Sequence, residues 1–92
     1  MKEIKKSVIN TFNRVGFPYE KYGREPKTTV ISNRFSGETV TTSVLVATLI
    51  DVIYEISNAY ERFDYSVKTS DFDRLRYFVL EEDSKAYMTC LN

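Results

Sequence analysis

Carboxylates are the side chains of this sequence with the widest scope for chemistry, and most of them occur in close groups. The groups are Asp51 with Glu55, Asp71 with Asp73, and the consecutive Glu81, Glu82 and Asp83. Paired acids can exchange protons with a substrate, and clustered acids can bind Ca²⁺ or Mg²⁺. None of the groups has EF-hand spacing, and acids on helices usually face solvent or lie near a helix start. We therefore expect no metal site and no acid–base site among them.

The other residues that commonly carry catalysis are scarce. The sequence has no histidine and a single cysteine, Cys90. This composition excludes ordinary zinc and copper sites and both the Ser–His–Asp and Cys–His arrangements, and no glycine-rich phosphate-binding motif is present. We expect Cys90 to pack as a small apolar residue near the C-terminal end. The sequence predicts a protein that is not an enzyme and that needs no cofactor.

Positive charge is concentrated in the first third of the chain. Residues 1–34 contain eight Lys and Arg against three Glu, a net charge of +5, whereas residues 35–92 contain five against ten acids, a net charge of −5. Basic side chains can contact phosphates, and nearby tyrosines can stack on bases. The candidate nucleic-acid-binding residues are Lys5, Lys6, Arg14, Lys21 and Arg24. Because the pI near 6.3 is low for such a protein, nucleic-acid binding is the alternative hypothesis.

A helix and a hairpin must position these basic residues. Apolar spacing predicts an N-terminal helix over residues 2–15 that ends at Gly16. Two Pro and two Gly make residues 16–27 a connector. The β-branched runs Thr28–Ile31 and Thr39–Thr42 predict a β-hairpin. Since two strands alone are marginal in water, this hairpin must pack on helices or add strands from another chain.

The hairpin tip holds side chains that could bind a partner. Arg34–Gly37 fits a type I turn with Gly37 in the left-handed conformation, which places Arg34 opposite Glu38 as a cross-strand pair. Turn chemistry does not require Phe35, which either packs back onto the following helix or is offered to a partner. The candidate partner-binding residues are Arg34, Phe35 and Tyr54.

The second half of the sequence is predicted to be helical. Residues 43–63 form a long helix, capped by Thr42 or Ser43, whose apolar face is too wide for burial on one side. It is therefore the central helix and a possible dimer seam. A third helix begins at Ser70 with a capping box, and residues 85–91 form a short helix or, alternatively, a final strand.

Together these patterns predict one α+β domain over residues 1–92, with a basic N-terminal helix and connector (1–27) and a hairpin plus helical core (28–92). Segment Met1–Ile9 is charged and unlike a secretion signal, and the apolar run Val44–Ile50 is far shorter than the roughly 20 residues of a membrane span. We therefore expect a cytoplasmic protein that acts through protein–protein association. It is expected to form a homo-oligomer through the long helix, the hairpin edge or both.

The hairpin and the long helix also carry a family resemblance. Asn33-Arg34-Phe35-Ser36-Gly37-Glu38, followed by Leu49-Ile50-Asp51-Val52-Ile53, resembles small proteins of tailed bacteriophages, especially those that infect marine cyanobacteria. Tyr77-Phe78 and Tyr87-Met88 match the group's aromatic later part, whereas Ile50 replaces a tyrosine. The resemblance covers about residues 30–92. It implies an origin, with a place in the host cytoplasm and a host protein as a possible partner, but no activity.

Overall fold

The computed structural model describes residues 4–19 and 27–92. Its elements, in chain order, are α1 (Lys6–Val15), β1 (Thr28–Ser32), β2 (Thr39–Ser43), α2 (Val44–Glu61), α3 (Thr69–Glu82) and α4 (Ser84–Cys90). The predicted α+β class and the order of its elements, an N-terminal helix, a hairpin, a long helix and two shorter helices, are confirmed. None of the described helices is long and apolar enough to cross a bilayer.

The first helix is shorter than predicted at its start and ends where expected. Ile4 and Lys5 precede α1, and residues 1–3 lie outside the described part of the chain. Gly16 has a φ of 78° and follows the helix in the left-handed conformation that favours glycine. Phe12 is fully buried, and its ring meets that of Phe78 on α3 edge-on at 5.4 Å. Residues 20–26 of the predicted connector also lie outside the described residues.

The two strands form an antiparallel hairpin that runs directly into α2. The register places Thr28 opposite Ser43 and Ser32 opposite Thr39. Ile31 and Val40 are buried against the helices, so the hairpin is supported by the packing that two isolated strands lack. Helices α2 and α4 pack on this sheet, and α4 lies mainly against β2.

The hairpin loop is one residue longer than predicted. Asn33 donates its backbone N–H to the Glu38 carbonyl oxygen at 2.8 Å, and Gly37 donates to the Asn33 carbonyl oxygen at 3.0 Å, which leaves a four-residue loop. Gly37 has the predicted left-handed conformation, with a φ of 78°. The predicted pairing of Arg34 with Glu38 is wrong, because Asn33 takes the position opposite Glu38.

The long helix is central, and most of its apolar face is covered within the domain. Ser43 caps it, since its Oγ accepts the Val46 N–H at 3.1 Å. The buried side chains of α2 are those of Leu45, Val46, Ala47, Leu49, Ile50, Ile53, Tyr54 and Ile56. The strands cover one side of α2 and α3 covers another, which explains why its apolar face is wide. Polar residues such as Asp51 and Glu55 are exposed, so α2 offers little continuous apolar surface for a dimer seam.

One prediction for the last helices is wrong and two are confirmed. Helix α3 begins at Thr69 without a side-chain cap, so the capping box at Ser70 does not form. Residues 84–90 are a helix, which excludes the alternative final strand. Asp83 joins the two helices and the sheet: its carboxylate accepts the Ala86 N–H at 3.1 Å and the Thr42 hydroxyl at 2.6 Å. Cys90 is buried, as expected.

Candidate functional site

The three predicted partner-binding residues lie together along one groove, which we call the hairpin groove. It has a volume of about 340 Å³ and lies between the hairpin tip, α2, α3 and the residues that follow α4. Arg34, Phe35 and Tyr54 line it with Phe72 and Arg76. The structure thus brings together the predicted residues from two elements, the hairpin loop and α2, and it adds two residues from α3.

The hairpin tip is held in place by a single side chain. The Oδ1 atom of Asn33 accepts the backbone N–H groups of Phe35 at 2.7 Å and Ser36 at 3.0 Å. Its Nδ2 atom donates to the Thr89 carbonyl oxygen of α4 at 3.0 Å. The tip therefore has a defined position relative to the helices, although the Phe35 side chain is 93% exposed. Phe35 does not pack back onto α2, which was one of the two alternatives for it.

Arg34 lies against the ring of Tyr54. The guanidinium carbon is 4.6 Å from the ring centroid, a cation–π distance. Tyr54 is itself fixed, because its hydroxyl donates to the Cys90 carbonyl oxygen at 2.6 Å. Burial raises the pKa of the Tyr54 phenol and also that of the Cys90 thiol, so both are uncharged at neutral pH. Within the described residues, no carboxylate forms a salt bridge with Arg34.

Arg76 is held in a similar way on the other side of the groove. Its guanidinium carbon is 5.8 Å from the Phe72 ring centroid and 5.9 Å from that of Tyr87, and Nη2 donates to the Tyr87 hydroxyl at 3.0 Å. It has no ion pair with any carboxylate of the described chain. The sequence analysis missed Arg76, although its i,i+4 spacing from Phe72 was a signal that both share one face of α3.

Arg14 and Asp71 form an ion pair that links α1 to α3. Arg14 donates from Nη2 to Asp71 Oδ1 at 2.8 Å and from Nε to Oδ2 at 3.2 Å. Arg74 adds a contact to Asp71 Oδ1 at 3.3 Å. Asp71 is 5% exposed, and hydrogen bonding from Arg14 lowers the pKa of its carboxyl group. The arrangement gives both residues a structural role that the sequence did not predict.

The other predicted nucleic-acid contacts do not form a site in the described residues. Lys5 and Lys6 are exposed at the start of α1, and Lys21 and Arg24 fall outside the described residues. Arg14 forms an ion pair with Asp71, so its charge is partly neutralised within the domain. Binding of nucleic acid by these basic residues stays a prediction. In residues 4–19 and 27–92, no group of three or more potential metal ligands is close enough to hold an ion.

The outer edge of β1 is a second candidate surface, which we call the β1 edge. A backbone hydrogen bond lies just beyond each end of the strand pair: the Asn33 N–H donates to the Glu38 carbonyl oxygen, and the Val44 N–H donates to the Lys27 carbonyl oxygen. By the alternation of an antiparallel pair, the backbone N–H and C=O groups of Thr28, Val30 and Ser32 therefore point away from β2. The strand, Thr-Thr-Val-Ile-Ser, carries no charge, and Val30 is 63% exposed.

A larger groove, of about 440 Å³, lies between the C-terminal end of α1 and α2. Its walls are mostly apolar, with Glu55 and Asp64 as the charged side chains among the described lining residues. Asp64 is held by Ser66, whose backbone N–H donates to its Oδ1 at 3.1 Å, but the described lining holds no arginine or lysine. This groove is therefore a weaker candidate than the hairpin groove.

No protein-family model, curated protein or solved structure matches this chain. The resemblance of Asn33–Glu38 and the following helix to proteins of tailed phages therefore stays a prediction. The local geometry accounts for much of that motif by turn chemistry: Asn33 closes the loop, the Ser36 hydroxyl accepts the Glu38 N–H at 3.2 Å, and Gly37 supplies the left-handed residue. Candidate functions consequently depend on the two surfaces described above.

Proposed function

We propose that this chain is a non-enzymatic protein-association domain that forms a homodimer by pairing the β1 edges of two copies. The observation that carries the proposal is an uncharged strand edge, left open by the described residues, with Val30 exposed at its centre. Proteins that stay monomeric usually protect such an edge with charged residues, proline or a bulge. None of these devices interrupts the five residues of β1.

The edge is complementary to itself. In an antiparallel arrangement about a two-fold axis, Val30 faces Val30 of the second copy, and Thr28 faces Ser32 in both directions. Each such pair exchanges two backbone hydrogen bonds, so the dimer gains about six of them and a four-stranded sheet. An interface this small predicts a weak dimer, with a Kd on the order of 10–100 µM.

Other routes to self-association have less support. The apolar face of α2 is covered by the sheet and α3 within one copy, and α4 packs mainly against β2. Four of the five residues of β1 are exposed, so the described part of the chain leaves the β1 edge uncovered. Of the two self-association surfaces that the sequence suggested, this favours the hairpin edge over the long helix.

The proposal is tested by sedimentation equilibrium of Val30→Lys and Thr41→Lys across a concentration series. Like charges directly opposite one another disfavour strand pairing, so Val30→Lys should remain a monomer. Thr41 lies opposite Val30 on β2 and is also exposed, so Thr41→Lys adds the same charge without facing the second copy. A wild-type monomer at several hundred micromolar, or equal dimerisation by both variants, would exclude the β1 edge as the interface.

A further inference from the structure

We propose that the hairpin groove binds an acidic segment of a partner protein. Carboxylates of that segment would meet the guanidinium groups of Arg34 and Arg76, and an apolar side chain would pack against the groove wall at Phe35 and Leu91. This binding uses the groove between the tip and the helices, not the outward backbone groups of β1. It therefore goes beyond the proposed dimer and does not require it.

Both arginines lie against aromatic rings but lack an acidic partner among the described residues. Arg34 lies on Tyr54 and Arg76 lies between Phe72 and Tyr87, so little side-chain freedom remains to be lost on binding. Neither forms a salt bridge with a described carboxylate. Arginine in such a position binds carboxylates through two parallel hydrogen bonds, which gives geometric selectivity as well as affinity.

The charge of the groove also favours an acidic ligand. Among the side chains of the described lining, Arg34 and Arg76 stand against one carboxylate, that of Glu61, which has no ion pair in the described structure. The lining side chains therefore carry a net positive charge, in contrast to the net charge of −5 of the segment 35–92 that forms most of the groove. Charge complementarity consequently selects an acidic ligand, and Glu61 disfavours acids placed beside it.

Apolar surface lies between the two charges of the groove. Phe35 is 93% exposed at the tip, and the side chains of Ile53, Phe72 and Leu91 line the groove. Aromatic residues and arginine are the types that contribute most to protein interfaces. A nucleic-acid strand would stack on several free ring faces, but among the described lining residues Phe35 is the one strongly exposed ring, since Tyr54 is buried and lies under Arg34. A peptide with acids flanking a large apolar residue fits this lining better.

The test is a selection of random peptides of eight residues, displayed on particles, against the intact wild-type protein. Selected peptides are then measured by fluorescence anisotropy with labelled synthetic copies at low and moderate salt. We expect enrichment of Asp or Glu around a large apolar residue and binding that weakens with salt. Failure to enrich peptides, or enrichment without acidic residues, overturns the proposal.

Matched variants locate the binding site. Arg34→Gln and Arg76→Gln should each weaken binding of the selected peptide by about tenfold or more, whereas Arg62→Gln, an exposed arginine outside the groove, should leave it unchanged. Melting curves confirm that the variants are folded. Equal effects of all three substitutions, or tighter binding of labelled single-stranded DNA than of the peptide with the same arginine dependence, would also overturn it.

Discussion

Phe63 follows α2 in a backbone conformation that is unusual for a large side chain. Its φ is 61°, whereas the other described residues with positive φ are glycines. The conformation closes the helix: the Phe63 N–H donates to the Tyr60 carbonyl oxygen at 3.0 Å, and the Asp64 N–H donates to that of Ala59 at 2.9 Å. Such an ending normally contains glycine. The ring is 82% exposed, so packing within the domain compensates little of the backbone cost.

Replacing Phe63 by Gly and by Ala isolates that backbone cost. Both variants lose the exposed ring, but alanine keeps the Cβ that disfavours the left-handed conformation by about 1–2 kcal/mol. Glycine loses roughly 0.5–1 kcal/mol more chain entropy on folding, which offsets part of the difference. We therefore expect Phe63→Gly to exceed Phe63→Ala in free energy of unfolding by about 0.5–1 kcal/mol.

The assay is thermal and urea denaturation at protein concentrations well below the expected dimer Kd. For a domain of this size, that difference corresponds to a melting temperature about 2–8 °C higher for Phe63→Gly. The control pair is Phe35→Gly and Phe35→Ala, because Phe35 is equally exposed but has no positive φ. There glycine should be the less stable variant. If Phe63→Gly is no more stable than Phe63→Ala, the strain argument is refuted.

The remaining predictions concern the hydrogen bonds that connect the elements. Asp71→Asn should lower the free energy of unfolding at pH 7 by about 1–3 kcal/mol. Because the pKa of Asp71 is lowered in the folded protein, the deficit should shrink as pH falls below about 4. As a control, replacing the exposed Asp73 by Asn should leave the free energy of unfolding at pH 7 nearly unchanged. Asn33→Asp keeps the acceptor for the loop but loses the donor to α4, so urea denaturation should place it between wild type and Asn33→Ala, with steps of about 1 kcal/mol. Gly37→Ala should cost about 1 kcal/mol, purely from backbone strain, because nothing lies within 4 Å of the added Cβ.

The element boundaries that the sequence predicted well depend on strong local signals. Gly16 and Gly37 both occupy left-handed positions that few other residues adopt at low cost, so a turn could be placed at each. The length of the hairpin loop was missed because a three-residue and a four-residue loop both place Gly37 in the left-handed conformation. The left-handed conformation of Phe63 was missed because phenylalanine gives no signal for it. The backbone hydrogen bonds at the end of α2 determine that conformation.

Contacts between distant segments could not be predicted. Asp71 was expected among solvated or capping acids, but it is buried because Arg14, 57 residues earlier, supplies a fork of donors. Arg76 lies in the candidate site because α3 packs beside α4, a contact that the sequence does not reveal. Phe35 was singled out from the sequence because turn chemistry does not require it, whereas the contact of Arg34 with Tyr54 depends on a loop register that the sequence did not predict.

The central claim, pairing of two β1 edges about Val30, is tested most directly by cysteine cross-linking. In the expected register the two Val30 Cα atoms are about 5.5 Å apart, a distance that a disulfide can bridge. Under mild oxidation, Val30→Cys should form a covalent dimer at high protein concentration, whereas Thr41→Cys and the wild type, whose Cys90 is 4% exposed, should not. Cross-linking of Thr41→Cys to the same extent, or no dimer from Val30→Cys at several hundred micromolar, would contradict the account.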